Sequence, residues 1–406
     1  MELAKVASAV LLSSPESTDD VWVFPPTEEK VTRSGAAGDW KVTSDSGEVM
    51  YLTDAEWLDM RLSEALITWD LTLYVATTGD DESGDGTSAN PYQSPNKAIE
   101  VVTGKIISNC TVTIELADGT YNTNQQLAEL DVYQYGHVSI PTFMLVDGIK
   151  TQGSGILKIQ AENEHGATIA RANALTVAIL RSSGVTIDGI KITDVANTGG
   201  GVILFQSSEI QVLNSHITEA GFSNNGACVY CIEAANVLVK GCYLSGCAVG
   251  VYQTGNSKGS IEDCEIHGCL RAVHPRHSSY ATVESDNTSG TQRGVETIED
   301  QGGDVWRVTV SSPPLTQDEK DFSAWVKLLD CEGADDGVYD VTGTGDDYFE
   351  IEGGGQVSAY GYPSGDARVS NRDFGVYASR ASSASTGSHT LVGEADEGTG
   401  SGGYIE

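Results

Sequence analysis

Basic residues are scarce in this chain. Its 406 residues carry 23 Lys and Arg against 58 Asp and Glu, a formal charge of −35 at pH 7. Phosphate affinity rests on Lys and Arg, so this balance argues against binding to DNA or RNA and opposes an anionic polysaccharide unless cations intervene. The acidic excess reads first as a solvated surface suited to saline surroundings. Long apolar runs are also missing. None approaches the roughly 18 to 20 residues that span a bilayer, so no membrane insertion is expected. The opening MELAKVASAVLLSS has one Lys before a short apolar run; it lacks the strongly basic start and long core of a secretory signal. Cysteine is even in number at 8, too sparse at this length for a disulfide scaffold. Proline is rare, 10 against 46 Gly, which suits a turn-rich β protein.

What is present is a repeat. The segments VTIDGIKITDV (185–195), IQVLNSHITEA (210–220), VLVKGCYLSGC (237–247), GSIEDCEIHGC (259–269) and ATVESDNTSGT (281–291) align without gaps. Their starts lie 25, 27, 22 and 22 residues apart, a period typical of stacked coils with two or three short strands each. The third position is always apolar, Ile187, Val212, Val239, Ile261 and Val283, and the next is mostly polar, as period-two strands require. A second apolar column stands ten residues upstream, Val177, Val202, Val229, Val251 and Val273. A third follows at Ile192, Ile217, Leu244 and Ile266, lost at Thr288. Three inward columns predict three walls around one core, an all-β parallel solenoid. Cys242 and Cys264 share one column, as do Cys247 and Cys269, and are expected to be unbonded thiols stacked in that core.

The flanks do not follow the repeat. Residues 1–70 contain strand-like VWVFPP (21–26) and GDWKVTSDSGEVMYL (38–52), then TDAEWLDMRLSEAL (53–66). In that last segment Thr53 and Glu56 form a capping box, and Trp57, Leu58, Leu62 and Leu66 take helical spacing, so a separate N-terminal module with a docking helix is expected. The solenoid is expected over 71–295, with a helix starting near Ser94, and GILKIQAENEHGATIARANA (155–174) reads as one coil. Residues 296–352 read as a small β module of about five strands, and the Gly/Ser-rich 353–406 as an extended or flexible arm.

The start of the solenoid carries a resemblance. Tyr74, Val75, Gly79, Asp81, Asp85, Gly86, Thr87, Ser88 and Pro91, followed by Ile114, Leu116, Asp118, Gly119, Thr120 and Tyr121, resemble the opening of right-handed parallel β-helices of the pectate-lyase-like superfamily. That opening is common in phage tail fibres and tailspikes. With the coils that follow, the likeness covers about 71–295. It implies a right-handed β-helix and, for a phage fibre, a homotrimer in the virion, assembled in the host cytoplasm. The N-terminal module would join other virion proteins, and the β-helix would meet a host surface glycan or protein. The superfamily hosts lyases, hydrolases and inert adhesins alike, so chemistry must be read from residues.

Two outward clusters are candidates. Glu262, Glu265 and His267 fall in one coil, with Glu284 in the next and Lys240 in the one before. Glu262 and Glu284 stacked one strand spacing apart, roughly 5 Å, would suit the carboxylate pair of a glycosidase. Column alignment also stacks Tyr230, Tyr252 and His274 outward with Arg276 beside them, a platform on which sugar rings would stack. The resemblance implies an Arg or Lys base, commonly with calcium, in lyases of this fold; Arg271 and Arg276 are present without a calcium cluster beside them. Asp80, Asp81 and Asp85, with Glu82, crowd one loop like the first half of a calcium site, but Tyr92 stands where the twelfth-position acid belongs. Cys228 and Cys231 lack a second pair of zinc ligands nearby, and neither Gly199–Gly201 nor Gly353–Gly355 leads into a phosphate loop. No cofactor is expected. The reading is a structural or receptor-binding virion protein. The alternative is a polysaccharide-degrading glycoside hydrolase or lyase, and a cell-surface adhesin would need an export signal.

Overall fold

The computed structural model describes residues 66–122, 126–132, 136–170, 175–193, 200–221, 226–284, 287–322, 324–329, 331, 334–357, 366–372, 374–379, 382–386, 391, 395–399 and 403–405, with backbone strands at 10–11, 21–24, 29–33, 39–43 and 49–53. Those five N-terminal strands pair antiparallel in chain order. The expected helix over 53–66 falls mainly outside the described residues, and its two ends differ from expectation. Thr53 closes a strand, and Leu66 opens another and is exposed.

From Leu71 the chain winds as a parallel β-helix with three walls. A ten-stranded wall includes 71–75, 111–116, 156–161, 185–188, 210–213, 236–240, 258–262 and 280–283. A six-stranded wall runs from 119–121 to 265–267, and a nine-stranded wall includes 175–180, 200–205, 227–232, 249–254 and 271–275. Alternation dictates these strands: along 111–116 every second side chain is buried. Helix α1, Pro95–Val102, begins where Ser94 accepts from Lys97 N, with Pro at its first position.

The three apolar columns are in register. Ile187, Val212, Val239, Ile261 and Val283 pair successively on the ten-stranded wall. Val177, Val202, Val229, Val251 and Val273 do so on the nine-stranded wall. Ile192, Ile217, Leu244 and Ile266 line the third. All belong to one buried core. At the corners, short polar side chains take over backbone hydrogen bonds that the turns leave unmade. Ser182, Ser207, Ser257 and Ser279 each accept from the backbone N–H of an earlier coil. Asn287 accepts from Cys264 N and donates to Ile261 O.

The thiols follow their columns with one correction. Cys242 and Cys264 are free and buried, their thiols directed at Val212 O (3.3 Å) and Val239 O (3.5 Å). Cys247, expected as an unbonded partner of Cys269, is instead disulfide-bonded to Cys228, joining the nine- and six-stranded walls across one coil. Alignment brings residues of one wall together and is blind to pairs that face each other across the core.

The chain beyond 291 also departs from expectation. Strands 293–302, 305–310, 325–329, 337–344, 348–352 and 366–369 close into a barrel with its own core. The β-helix then resumes. Strand 374–378 pairs with 271–275 and 395–399 with 374–378; on the ten-stranded wall 383–386 pairs with 280–283 and 404–405 with 383–386. Residues assigned from sequence to an arm thus supply further coils, and the barrel is an insertion rather than a terminal module. Asn371 secures the return, accepting from Cys269 N and donating to Ile266 O. Arg293 and Glu319 lock the departure through a fully buried ion pair.

Candidate functional site

The expected carboxylate cluster is split by a corner. Glu262 ends a strand of the ten-stranded wall, whereas Glu265 and His267 belong to the six-stranded wall, beyond Cys264 at the bend. Glu262 accepts from Lys240 Nζ (3.0 Å) and Ser260 Oγ (3.0 Å), and Lys240 also reaches Asp263 (3.2 Å). The hydrogen bonds to Glu262 and Asp263 raise the Lys240 ammonium above its ordinary pKa. Glu284 follows Val283, the register partner of Ile261, and stands exposed past the strand end. The two glutamates therefore occupy successive coils, with Glu262 committed to a cation.

His267 is fully buried. Its Nε2 lies 2.7 Å from the Tyr243 hydroxyl and 3.6 Å from Glu265, and its Nδ1 has no hydrogen-bond partner among the described residues. Burial pushes its pKa down to about 4, so the ring is neutral near pH 7 and has no route for exchanging protons with a surface substrate. It closes a run of rings outside the six-stranded wall: His165 on His216 at 3.7 Å, His216 to Tyr243 at 5.2 Å and Tyr243 to His267 at 5.2 Å.

The second cluster forms a ladder on the nine-stranded wall. Tyr230 stacks on Tyr252 at 4.9 Å, Tyr252 lies 5.2 Å from His274, and Arg276 donates to the Tyr252 hydroxyl at 3.0 Å. The resumed coil extends the ladder, with Tyr377 5.0 Å from His274 and 4.6 Å from Phe374, and Arg271 sits 4.4 Å over Tyr377. Alignment does not find Tyr377 and Phe374, because the barrel separates them from the repeat. Tyr252 and His274 are only 3% and 5% exposed. An open stacking platform on those two rings is thereby corrected: they are packed between neighbouring rungs, and Tyr230, Arg271 and Arg276 are the half-buried members at its edges.

The acidic loop is consumed by its own turns. Asp80 accepts from Glu82 N and Ser83 N, and the Ser83 contacts chiefly hold its carboxyl below the usual range. Asp81 accepts from Gln93 N, Ser94 N and Ser94 Oγ, and Asp85 from Thr87 N and Oγ1. These bonds tie the three aspartates into the loop's own turns.

A groove on the ten-stranded wall escaped the sequence reading. It is shallow and largely open to solvent along the outer face, with a volume of about 510 Å³. One side is the column Asn236, Lys258 and Tyr280, the other Gln211, Leu238, Ser260 and Thr282, each in strand register. Beneath it Gln253, buried, reaches across from the nine-stranded wall. Its amide donates to Tyr280 O (2.9 Å) and accepts from Gly259 N (3.1 Å), fixing the groove floor from inside. Gly259 leaves room for that amide, which a Cβ would strike.

Comparison with known proteins supports the architecture. The family described as right handed beta helix region matches residues 176–305, so the parallel β-helix is right-handed. No curated protein sequence matches the chain. Among solved structures, the chain is similar to the native GH136 lacto-N-biosidase of Eubacterium ramulus at 13% identity and a TM-score of 0.33, covering 53% of this chain and 45% of that one. The alginate lyase of Paenibacillus sp. str. FPU-7 has 10% identity and a TM-score of 0.22, covering 73% of this chain and 98% of that one. ORF18 of Geobacillus virus E2 has 11% identity and a TM-score of 0.25, covering 81% and 83%. This chain thus spans less than half the length of the lacto-N-biosidase.

Proposed function

We propose that the protein is a structural, receptor-binding component of a phage virion that attaches to a glycan on the host cell surface. In this reading the N-terminal strands join it to other virion proteins, the β-helix is the recognition body, and the fibre is a homotrimer. The observation that carries binding over cleavage is the division of the acidic cluster. Glu262 is engaged by Lys240 on one wall, and His267 is sealed beside Tyr243 on another. Glycoside hydrolysis needs two carboxyls converging on one bond; Glu265 lies on another wall, and Glu262, the register neighbour of Glu284, is engaged by the Lys240 ammonium. The test is adsorption: fluorescently labelled protein should bind host cells saturably and compete with phage adsorption. Absence of saturable binding would remove the reading.

A further inference from the structure

The groove on the ten-stranded wall has the geometry of a site for an extended ligand. One column crosses three successive rungs and the other four, and rungs stand about 4.8 Å apart, so side chains recur at a fixed spacing along the solenoid axis. Along one edge lie the Asn236 amide, the Lys258 ammonium and the Tyr280 ring; along the other, the Gln211 amide, the apolar Leu238 side chain and the Ser260 and Thr282 hydroxyls. Tyr280 is 37% exposed, the largest exposed apolar surface lining the groove. Lys258 and Glu209, at the rim, form no ion pair among the described residues, in contrast to Lys158 with Asp188 and Lys240 with Glu262 on the same wall. Mixed donors and acceptors around one accessible aromatic face match a ligand that is hydroxylated and carries apolar C–H faces.

We propose that this groove binds a neutral, linear oligosaccharide segment lying along the β-helix axis, stacked on Tyr280 and hydrogen-bonded by Gln211, Asn236 and Lys258. The ligand is neutral because one ammonium and one carboxylate share the rim in a chain whose net charge is −35. Gln253 holds Gly259 N and Tyr280 O, fixing the backbone beneath Lys258 and Tyr280. The inference rests on the glycan-attachment reading and adds the site and the ligand class.

The test is a printed array of neutral and acidic tri- to hexasaccharides probed with the intact chain, followed by titration of the best ligand. Variants are Tyr280→Ala, Lys258→Ala and, on the other wall, Tyr230→Ala. The lining residues replaced are exposed, and unchanged melting temperatures would certify folding. Expected results are a neutral best ligand, at least tenfold weaker binding for Tyr280→Ala, severalfold weaker for Lys258→Ala, and no change for Tyr230→Ala. A neutral ligand whose affinity falls with Tyr230→Ala and not with Tyr280→Ala would overturn the groove and leave glycan attachment standing. An acidic best ligand would overturn the ligand class. No wild-type binding to any glycan would overturn both.

Discussion

Arg293 grips Glu319 with two hydrogen bonds, Nη1 to Oε1 at 2.8 Å and Nη2 to Oε2 at 2.7 Å, where the chain leaves the β-helix for the barrel. Both side chains are 1% exposed. Burial pushes the Glu319 carboxyl up, but hydrogen bonds from Arg293 and Thr316 N and the Arg293 charge outweigh it and hold the pKa below its ordinary value. Removing one partner strands a buried charge. Glu319→Ala should therefore cost about 3 to 5 kcal/mol in chemical denaturation, and paired apolar replacement of both residues considerably less. An equal loss for single and paired variants would contradict a desolvated pair.

The column positions make a sharper contrast. Ile261 is fully buried between Val239 and Val283, whereas Thr282, one residue before Val283, faces out. Ile261→Ala should destabilise by about 2 to 5 kcal/mol, and Thr282→Ala by less than about 0.5 kcal/mol. Denaturant midpoints would check both.

Thiol chemistry separates two cysteine pairs. Reductant should lower the melting temperature of the wild type by opening Cys228–Cys247, which closes a 19-residue separation; for a loop of that size the expected contribution is about 3 kcal/mol. The Cys228→Ala/Cys247→Ala variant should melt at one temperature with or without dithiothreitol, and Cys242→Ala should keep the reductant shift. Persistence of the shift in the double variant would refute the assignment.

Acid should loosen the solenoid through His267. Its folded pKa of about 4, set mainly by burial, lies below the ordinary value of 6.5. Stability contributed by this group is therefore complete above pH 6.5 and is lost as pH falls toward 4, by up to roughly 3 kcal/mol. His267→Gln should flatten that part of a stability profile. A profile unchanged by the substitution would mean the ring is accessible to solvent.

The core was legible because alternation and a near-constant period place Val229, Val251 and Val273 in one column of the sequence. Pairings across the core were not, since Cys228 and Cys247 sit in different columns of the repeat. The return of the solenoid at Phe374–Ala378 was hidden by the inserted barrel and by small residues that resemble linker composition. Burial of Tyr252 and His274 escaped for a related reason: outward direction along a strand says nothing of what packs over it. The groove column Gln211, Leu238, Ser260 and Thr282 stood in the alignment at the second position of successive rows. Its mixed side chains look like ordinary solvated surface until the register sets them beside Tyr280.

Whether the protein binds a glycan without cutting it is tested most directly by incubating it with host capsule, lipopolysaccharide and exopolysaccharide and assaying new reducing ends and unsaturated products. The account predicts binding with no release of oligosaccharides, in the wild type and in Glu284→Gln alike. Release of oligosaccharides by the wild type, abolished by Glu284→Gln, would contradict it and establish a polysaccharide-degrading enzyme.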